Sequence, residues 1–146
     1  MEFNRNHLGL CLAALALVFA ASSIKGQVGA QTAYTQTAYV EKGVVALDSN
    51  NFKSQVEESD LPVVVDAFAK WCGPCKRLAP VLESMSQEFE GKVRFAKLDV
   101  DQDRNLARDL NISSMPTLLF YKEGKLVGRH TGYLNESELR KKLESL

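Results

Sequence analysis

Residues 63–83 read VVVDAFAKWCGPCKRLAPVLE. The stretch opens on an unbroken β-branched run, and continuous valines are what a strand shows when both sheet faces are covered. After Cys72 the apolar residues change spacing. Leu78, Leu82, Met85 and Phe89 fall at steps of four, three and four, which puts them on one face of a helix running from about Cys72 to Glu90. Pro80 lies inside that helix and is expected to kink it, and Gly91 supplies the stop. Two cysteines, Cys72 and Cys75, therefore sit where a buried strand passes into a long helix.

The flanking sequence extends this pattern. VVAL (44–47) reads as a short strand, and DSNNFKSQVEE (48–58) as a helix capped by Asp48 or Ser49. KVRFAKLDV (92–100) is a further strand, and RNLARDLN (104–111) a short helix ending near Asn111. PTLLFYKEGKLVGRHTG (116–132) reads as two strands joined around Glu123-Gly124 in a hairpin. The closing helix starts at Asn135, with Glu138 three residues on as a capping-box variant and Leu134 and Leu139 as a hydrophobic staple. Leu139, Leu143 and Leu146 supply its buried stripe. The order βαβαβαββα predicts an α/β sheet with helices on both faces and an antiparallel hairpin at the end. The sequons NIS at 111 and NES at 135 are read as helix-end asparagines, not as glycosylation sites.

The 146 residues suffice for one domain and a modest extension. Lysine plus arginine equals aspartate plus glutamate at 18 each, without the basic excess of a nucleic-acid binder. The first thirty residues differ from the remainder. A short polar start with Arg5 leads into a charge-free apolar run from Leu8 to Ala21, and VGA at 28–30 offers a cleavage site before Gln31. This is the layout of a secretory signal. The run is shorter than the ~20 residues that span a bilayer, so residues 1–30 are expected to be a signal peptide, with an uncleaved membrane anchor as the alternative. Cys11 leaves with a cleaved leader. Residues 31–43, which contain QTAY twice, are expected to be a flexible linker, and 44–146 the folded domain. The protein is thus expected to be exported, either periplasmic or secreted, or anchored and facing outward.

Three uses of the cysteine pair compete. A crosslink between residues so close cannot close a large loop, so it would do little to brace a fold. Zinc needs about four ligands. After leader removal only Cys72, Cys75 and His130 remain, which leaves a site shared between two chains as the open zinc reading. A redox couple needs less: one readily ionised, exposed sulfur and a second within reach. A helix N-terminus favours a thiolate at Cys72. Cys75, one turn further in, is expected to be more buried. Gly73 permits a tight approach, Pro74 fits the first helical turn, and Trp71 can wall one side of the sulfur.

The segment 63–83, together with FAKLDVDQ (95–102), SSMPTLLFYKEGK (113–125) and GY (132–133), resembles the thioredoxin family in order and spacing over about residues 44–146. The resemblance implies a thioredoxin fold, with a central mixed sheet of four or five strands, and dithiol–disulfide exchange with protein substrates. It makes Cys72 the attacking nucleophile and Cys75 the resolving thiol, linked as a redox-active disulfide with no other cofactor and no metal. It implies a cis proline at Pro116, with Met115 pairing with an extended substrate segment and Gly132 nearby. Asp66, a carboxylate in an otherwise apolar strand, becomes the proton acceptor and donor for Cys75, with Lys97 as its charge partner. Trp71, Gly73 and Pro74 complete the substrate-contacting set. The chain departs from the family at Phe68, where a second tryptophan is common, at Lys70, where acidic residues are common, and in its leader. The implied function is a protein-disulfide reductase working as a monomer outside the cytoplasm. Its partners would be disulfide-containing proteins and a thiol electron donor, such as a membrane relay protein, with no nucleic acid and no membrane contact beyond an uncleaved leader. An extracytoplasmic thiol oxidant or isomerase, and a binding module without turnover, are the alternatives.

Overall fold

The computed structural model describes residues 43–146. The expected leader and, apart from Gly43, the expected linker lie outside the described residues. Five strands form one mixed sheet: β1 (Val44–Leu47), β2 (Val63–Phe68), β3 (Arg94–Asp99), β4 (Thr117–Lys122) and β5 (Lys125–Thr131). They lie in the order β1-β3-β2-β4-β5. The first three pair in parallel, and β4 joins β2 antiparallel, followed by β5. Central β2 carries no solvated face: Val63, Val64, Val65 and Ala67 are all buried, which accounts for its unbroken apolar run.

Alternate β2 residues feed two cores. Val64 joins Leu78, Leu82, Met85, Phe95, Leu118 and Leu139 beneath helices α1 (Gly73–Glu88) and α3 (Glu136–Glu144). Val63 and Val65 join Leu47, Phe52, Val56, Leu98 and Leu106 on the opposite face, under helix α2 (Arg104–Asp109). Helix α1 runs on through Pro80, with Phe89 as its C-cap and Gly91 just beyond at φ +75°.

One element departs from its expected form. The segment 48–58 does not wind as a regular α-helix: after a first turn it widens into a π-helical stretch over Lys53–Glu57, where the Glu58 N–H reaches the Lys53 carbonyl at 2.9 Å. Asp48 is the residue that caps it, accepting the N–H groups of Asn50 and Asn51 at 2.8 and 3.0 Å. Ser49 instead donates its N–H to Asp103 at 2.6 Å. Asp103 is also the N-cap of α2, accepting the Leu106 N–H at 2.9 Å. The Ser49 hydroxyl donates to Asp103 as well, and this bond first, followed by the Leu106 and Ser49 N–H groups, holds its carboxyl below the usual carboxylate range.

The remaining helix ends follow the expected chemistry. Asn111, at φ +54°, ends α2: its own N–H meets the Arg108 carbonyl at 2.8 Å and the Ile112 N–H meets Ala107 at 2.9 Å. That pair of bonds satisfies two orphan carbonyls of the last turn. Asn135 and Glu138 exchange both bonds of a capping box, each 3.0 Å. Both sequon asparagines thus have helix-end roles.

The hairpin turns at Glu123 and Gly124, both at positive φ, as a two-residue turn of the primed type requires. Gly124 has a second constraint, because a Cβ there would run into the Glu57 carbonyl oxygen at the end of the π-helical stretch. We therefore expect Gly124→Ala to destabilise the fold by about 1–3 kcal/mol through combined backbone strain and collision. Urea denaturation checks this, and an unchanged midpoint would mean the hairpin tip is not packed against that helix.

Candidate redox site

Because β2 and β3 are parallel, the loops after them emerge at the same end of the sheet, the usual place for a site in an α/β sheet. One of these loops carries Trp71-Cys72; the other carries Val100 and Asp101. The chain before β4 closes the third side, with a cis peptide bond between Met115 and Pro116. Cys72 and Cys75 meet there as a disulfide with Cα atoms 5.3 Å apart. Ala69, Phe68, Val100 and Met115 pack around it.

Cys72 is the N-cap of α1, in extended conformation, and its Sγ accepts the Cys75 N–H at 3.2 Å. The donor that would otherwise be orphaned at the helix start thus points at sulfur, which lowers the cost of negative charge there. Pro74 occupies the first helical turn as expected. The expected contrast in burial is small: Cys72 is 5% exposed and Cys75 3%. Val100 and Met115 pack against the cluster that the two cysteines form with Ala69, and both cysteines are buried while the bond is intact. Gly73 and Gly132 have open space where a Cβ would stand. The Gly132 N–H, at φ +103°, donates to the Pro116 carbonyl at 2.8 Å, which ties the end of the hairpin to the proline loop.

Asp66 faces the α1 side of β2 and stands directly opposite Lys97 in the β2–β3 register. It is 6% exposed, and its Oδ1 has no hydrogen-bond partner. Burial raises its carboxyl from the ordinary 3.8 to about 7, with the Lys97 charge opposing. Asp66, Lys97 and Cys75 line one cleft, of about 270 Å³, beside α1. The sequence-derived residues thus form two groups. Cys72, Cys75 and Met115 belong to one packed cluster, while Asp66 and Lys97 meet Cys75 across the shared cleft.

Trp71 is 68% exposed, and its indole N–H donates to Asp101 Oδ2 at 2.8 Å. Lys70 stands 3.7 Å from Asp99, so its charge faces the carboxylate at the end of the neighbouring strand β3. Sequence reasoning missed Asp99, Val100 and Asp101. The signal available was the run DVDQD, which spans the end of β3 and the loop after it, since parallel neighbours bring their following loops together. Among the described residues no three or more histidine, cysteine or carboxylate side chains are grouped to hold a metal ion.

Comparison with known proteins agrees with this architecture. The thioredoxin family model matches residues 43–145. A thioredoxin of Chlorobaculum thiosulfatiphilum is 43% identical over 94 residues, 64% of this chain and 87% of the relative. One from Synechocystis is 44% identical over 94 residues, covering 64% and 88%. One from Haemophilus influenzae is 40% identical over 96 residues, covering 66% and 90%.

The raised Asp66 carboxyl has a consequence for stability. Between 3.8 and about 7 the folded chain keeps a proton that the unfolded chain releases, so stability is greatest below this window and is lost as pH rises through it. Asp66→Asn removes that loss. With the disulfide intact, the unfolding free energy of the variant relative to the unmodified chain is expected to rise by roughly 3 kcal/mol between pH 5 and 8.5. A difference that stays constant with pH would show that Asp66 ionises normally.

Proposed function

The chain belongs to the thioredoxin family and is a thiol–disulfide oxidoreductase, and we propose that it is an exported reductant of protein disulfides. The observation that carries the reductive chemistry is the Cys72 sulfur at the start of α1, receiving a backbone N–H at 3.2 Å. In the reduced chain this donor and the helix dipole favour the Cys72 thiolate. The thiolate attacks one sulfur of a substrate disulfide. A Cys72–substrate bond forms, and the substrate S–S bond breaks, releasing the first substrate thiolate.

Cys75 then attacks the Cys72 sulfur. Its thiol proton passes to Asp66, directly or through a water in the shared cleft, because a carboxyl held near 7 is well matched to accept it. The Cys72–Cys75 bond forms and the second substrate thiolate leaves. The substrate gains two electrons and, from solvent and Asp66, two protons. A thiol reductant returns the chain to the dithiol. Lys97 stabilises ionised Asp66 once it has released its proton, and so keeps it available as a base. Met115, Pro116 and Gly132, with Trp71, Gly73 and Pro74, form the rim that receives an extended substrate segment. No further cofactor is required.

Export rests on the leader: a charge-free run from Leu8 to Ala21 followed by small residues. Outside the cytoplasm the electron donor would be a thiol relay in the membrane, and the domain would act as a monomer. Fractionation of cells expressing the full chain tests this part separately. A chain found wholly in the cytosolic fraction removes export and leaves the redox chemistry standing.

The chemistry is tested by insulin reduction with dithiothreitol. Cys72→Ser is expected to be inactive, and Cys75→Ser to stall as a mixed disulfide seen as a covalent adduct on non-reducing gels. Asp66→Asn is expected to slow turnover about tenfold or more at pH 7. That deficit should narrow as pH approaches the ordinary cysteine pKa of about 8.5. Full activity of Cys72→Ser, or no pH dependence of the Asp66→Asn deficit, would overturn the assigned roles.

A further inference from the structure

A third sulfur stands in the redox site. Met115 packs against the cluster that Cys72 and Cys75 form with Ala69. It also lines an open cleft of about 690 Å³ whose walls include neither cysteine. The three sulfurs therefore differ in access. Cys72 and Cys75 are buried and joined to each other, whereas Met115 is only partly buried and opens to solvent through the cleft. Met85, the other methionine among the described residues, is completely buried in the core beneath α1.

The chain around Met115 is pinned on both sides. The Ser114 carbonyl accepts the Thr117 hydroxyl at 2.7 Å, and the Pro116 carbonyl accepts the Gly132 N–H at 2.8 Å. The backbone donors of the cluster are engaged as well. The Cys72 N–H goes to the Ala69 carbonyl at 3.0 Å, the Cys75 N–H to Cys72 Sγ at 3.2 Å and the Val100 N–H to the Phe68 carbonyl at 3.0 Å. A thioether suits this setting because it asks for no hydrogen bond. A sulfoxide does not, because its oxygen is a polar acceptor packed against donors already in use.

We propose that Met115 is a reversible oxidation site, through which peroxide lowers the exchange activity while the cysteine pair is protected as its disulfide. One oxygen passes from the peroxide to the Met115 sulfur. The O–O bond breaks, an S–O bond forms and water leaves, so the sulfur gives up two electrons and the peroxide takes them. The inference rests on the reductase reading and adds its regulation. The new dipole acts twice. It is unpaired in the wall that receives substrate, and it brings partial negative charge beside the sulfur on which the thiolate forms, against the effect of the helix start. A dithiol reopens the cysteine pair but leaves the sulfoxide, which methionine sulfoxide reductases, one for each epimer, return to the thioether.

The test treats the full chain, with Cys72 and Cys75 joined, with hydrogen peroxide, removes the peroxide and measures insulin reduction with dithiothreitol. The tryptic peptide 109–122 carries Met115 and contains no cysteine or tryptophan, so its gain of one oxygen reports this residue. As that peptide converts, kcat/KM is expected to fall about tenfold, which corresponds to ~1.4 kcal/mol of lost transition-state stabilisation. Alkylation of Cys72 at neutral pH, in the reduced chain that carries the sulfoxide, is expected to slow. Both sulfoxide reductases together should restore the activity, and dithiothreitol alone should not. Met115→Leu, scored as a fraction of its own untreated activity, is expected to keep nearly all of it. Met115 left unoxidised at a peroxide dose that converts free methionine overturns the inference, as does complete oxidation with unchanged kcat/KM. An equal fractional loss in Met115→Leu also overturns it, by placing the sensitive group elsewhere. Each of these results leaves the reductase reading intact, whereas an untreated chain that reduces no insulin removes that reading and this inference with it.

Discussion

The site depends on the junction between β2 and α1. A strand buried on both faces cannot shift without moving Val63, Val65 and Val64 out of two separate cores. Helix α1 is held independently through Leu78, Leu82 and Met85. The short loop between two such elements has little freedom, so Cys72 is delivered to the N-cap and Cys75 to the first turn above it. The sulfur's electrostatic setting is therefore a by-product of packing, which is why few local residues are needed to create it. A redox couple that must be made and broken benefits from a scaffold that does not relax when the bond opens.

Asp66 is the counterpart inside the same strand. Alternation along β2 places it on the α1 face, at the end of the core nearest the disulfide, where it forgoes hydration and leaves Oδ1 unpartnered. That placement costs stability when the carboxyl is ionised. Its register partner Lys97 moderates the cost without abolishing it, and the result is a proton-binding group near neutrality instead of near 4. Stability and proton transfer are thus set against each other at one residue, a common arrangement where buried groups serve chemistry.

The two short loops at the sheet's active end divide the remaining work. The loop after β2 supplies Trp71 and Cys72, the last residue of β3 supplies the Asp99 carboxylate that faces Lys70, and the loop after β3 supplies Asp101, which holds Trp71. The proline loop then closes over both, tied to the hairpin through Gly132. Helix α2 follows directly from the second loop, so Arg104 and Arg108 line a cleft together with Asp101 and Met115.

The sequence by itself determined the order and type of nearly every element, because each was marked by local chemistry. Continuous valines marked β2, four-three-four spacing marked α1, Asn135 and Glu138 marked the start of α3, and Glu123-Gly124 marked the hairpin. It also determined the cysteine pair at a helix start and singled out Asp66 as a carboxylate out of place. The form of the helix at 48–58 was not legible, since its widening into π-type bonds accompanies contacts with the hairpin tip at Gly124 and with Asp103, both remote in sequence. Nor was the near-equal burial of Cys72 and Cys75, which Val100 and Met115 impose from other loops. The pairing of Trp71 with Asp101 and the cleft lined by Arg104 and Arg108 likewise came only from tertiary structure. Sequence periodicity reports which face of an element is buried. Only the folding of parallel strands decides which distant loops then share an end of the sheet.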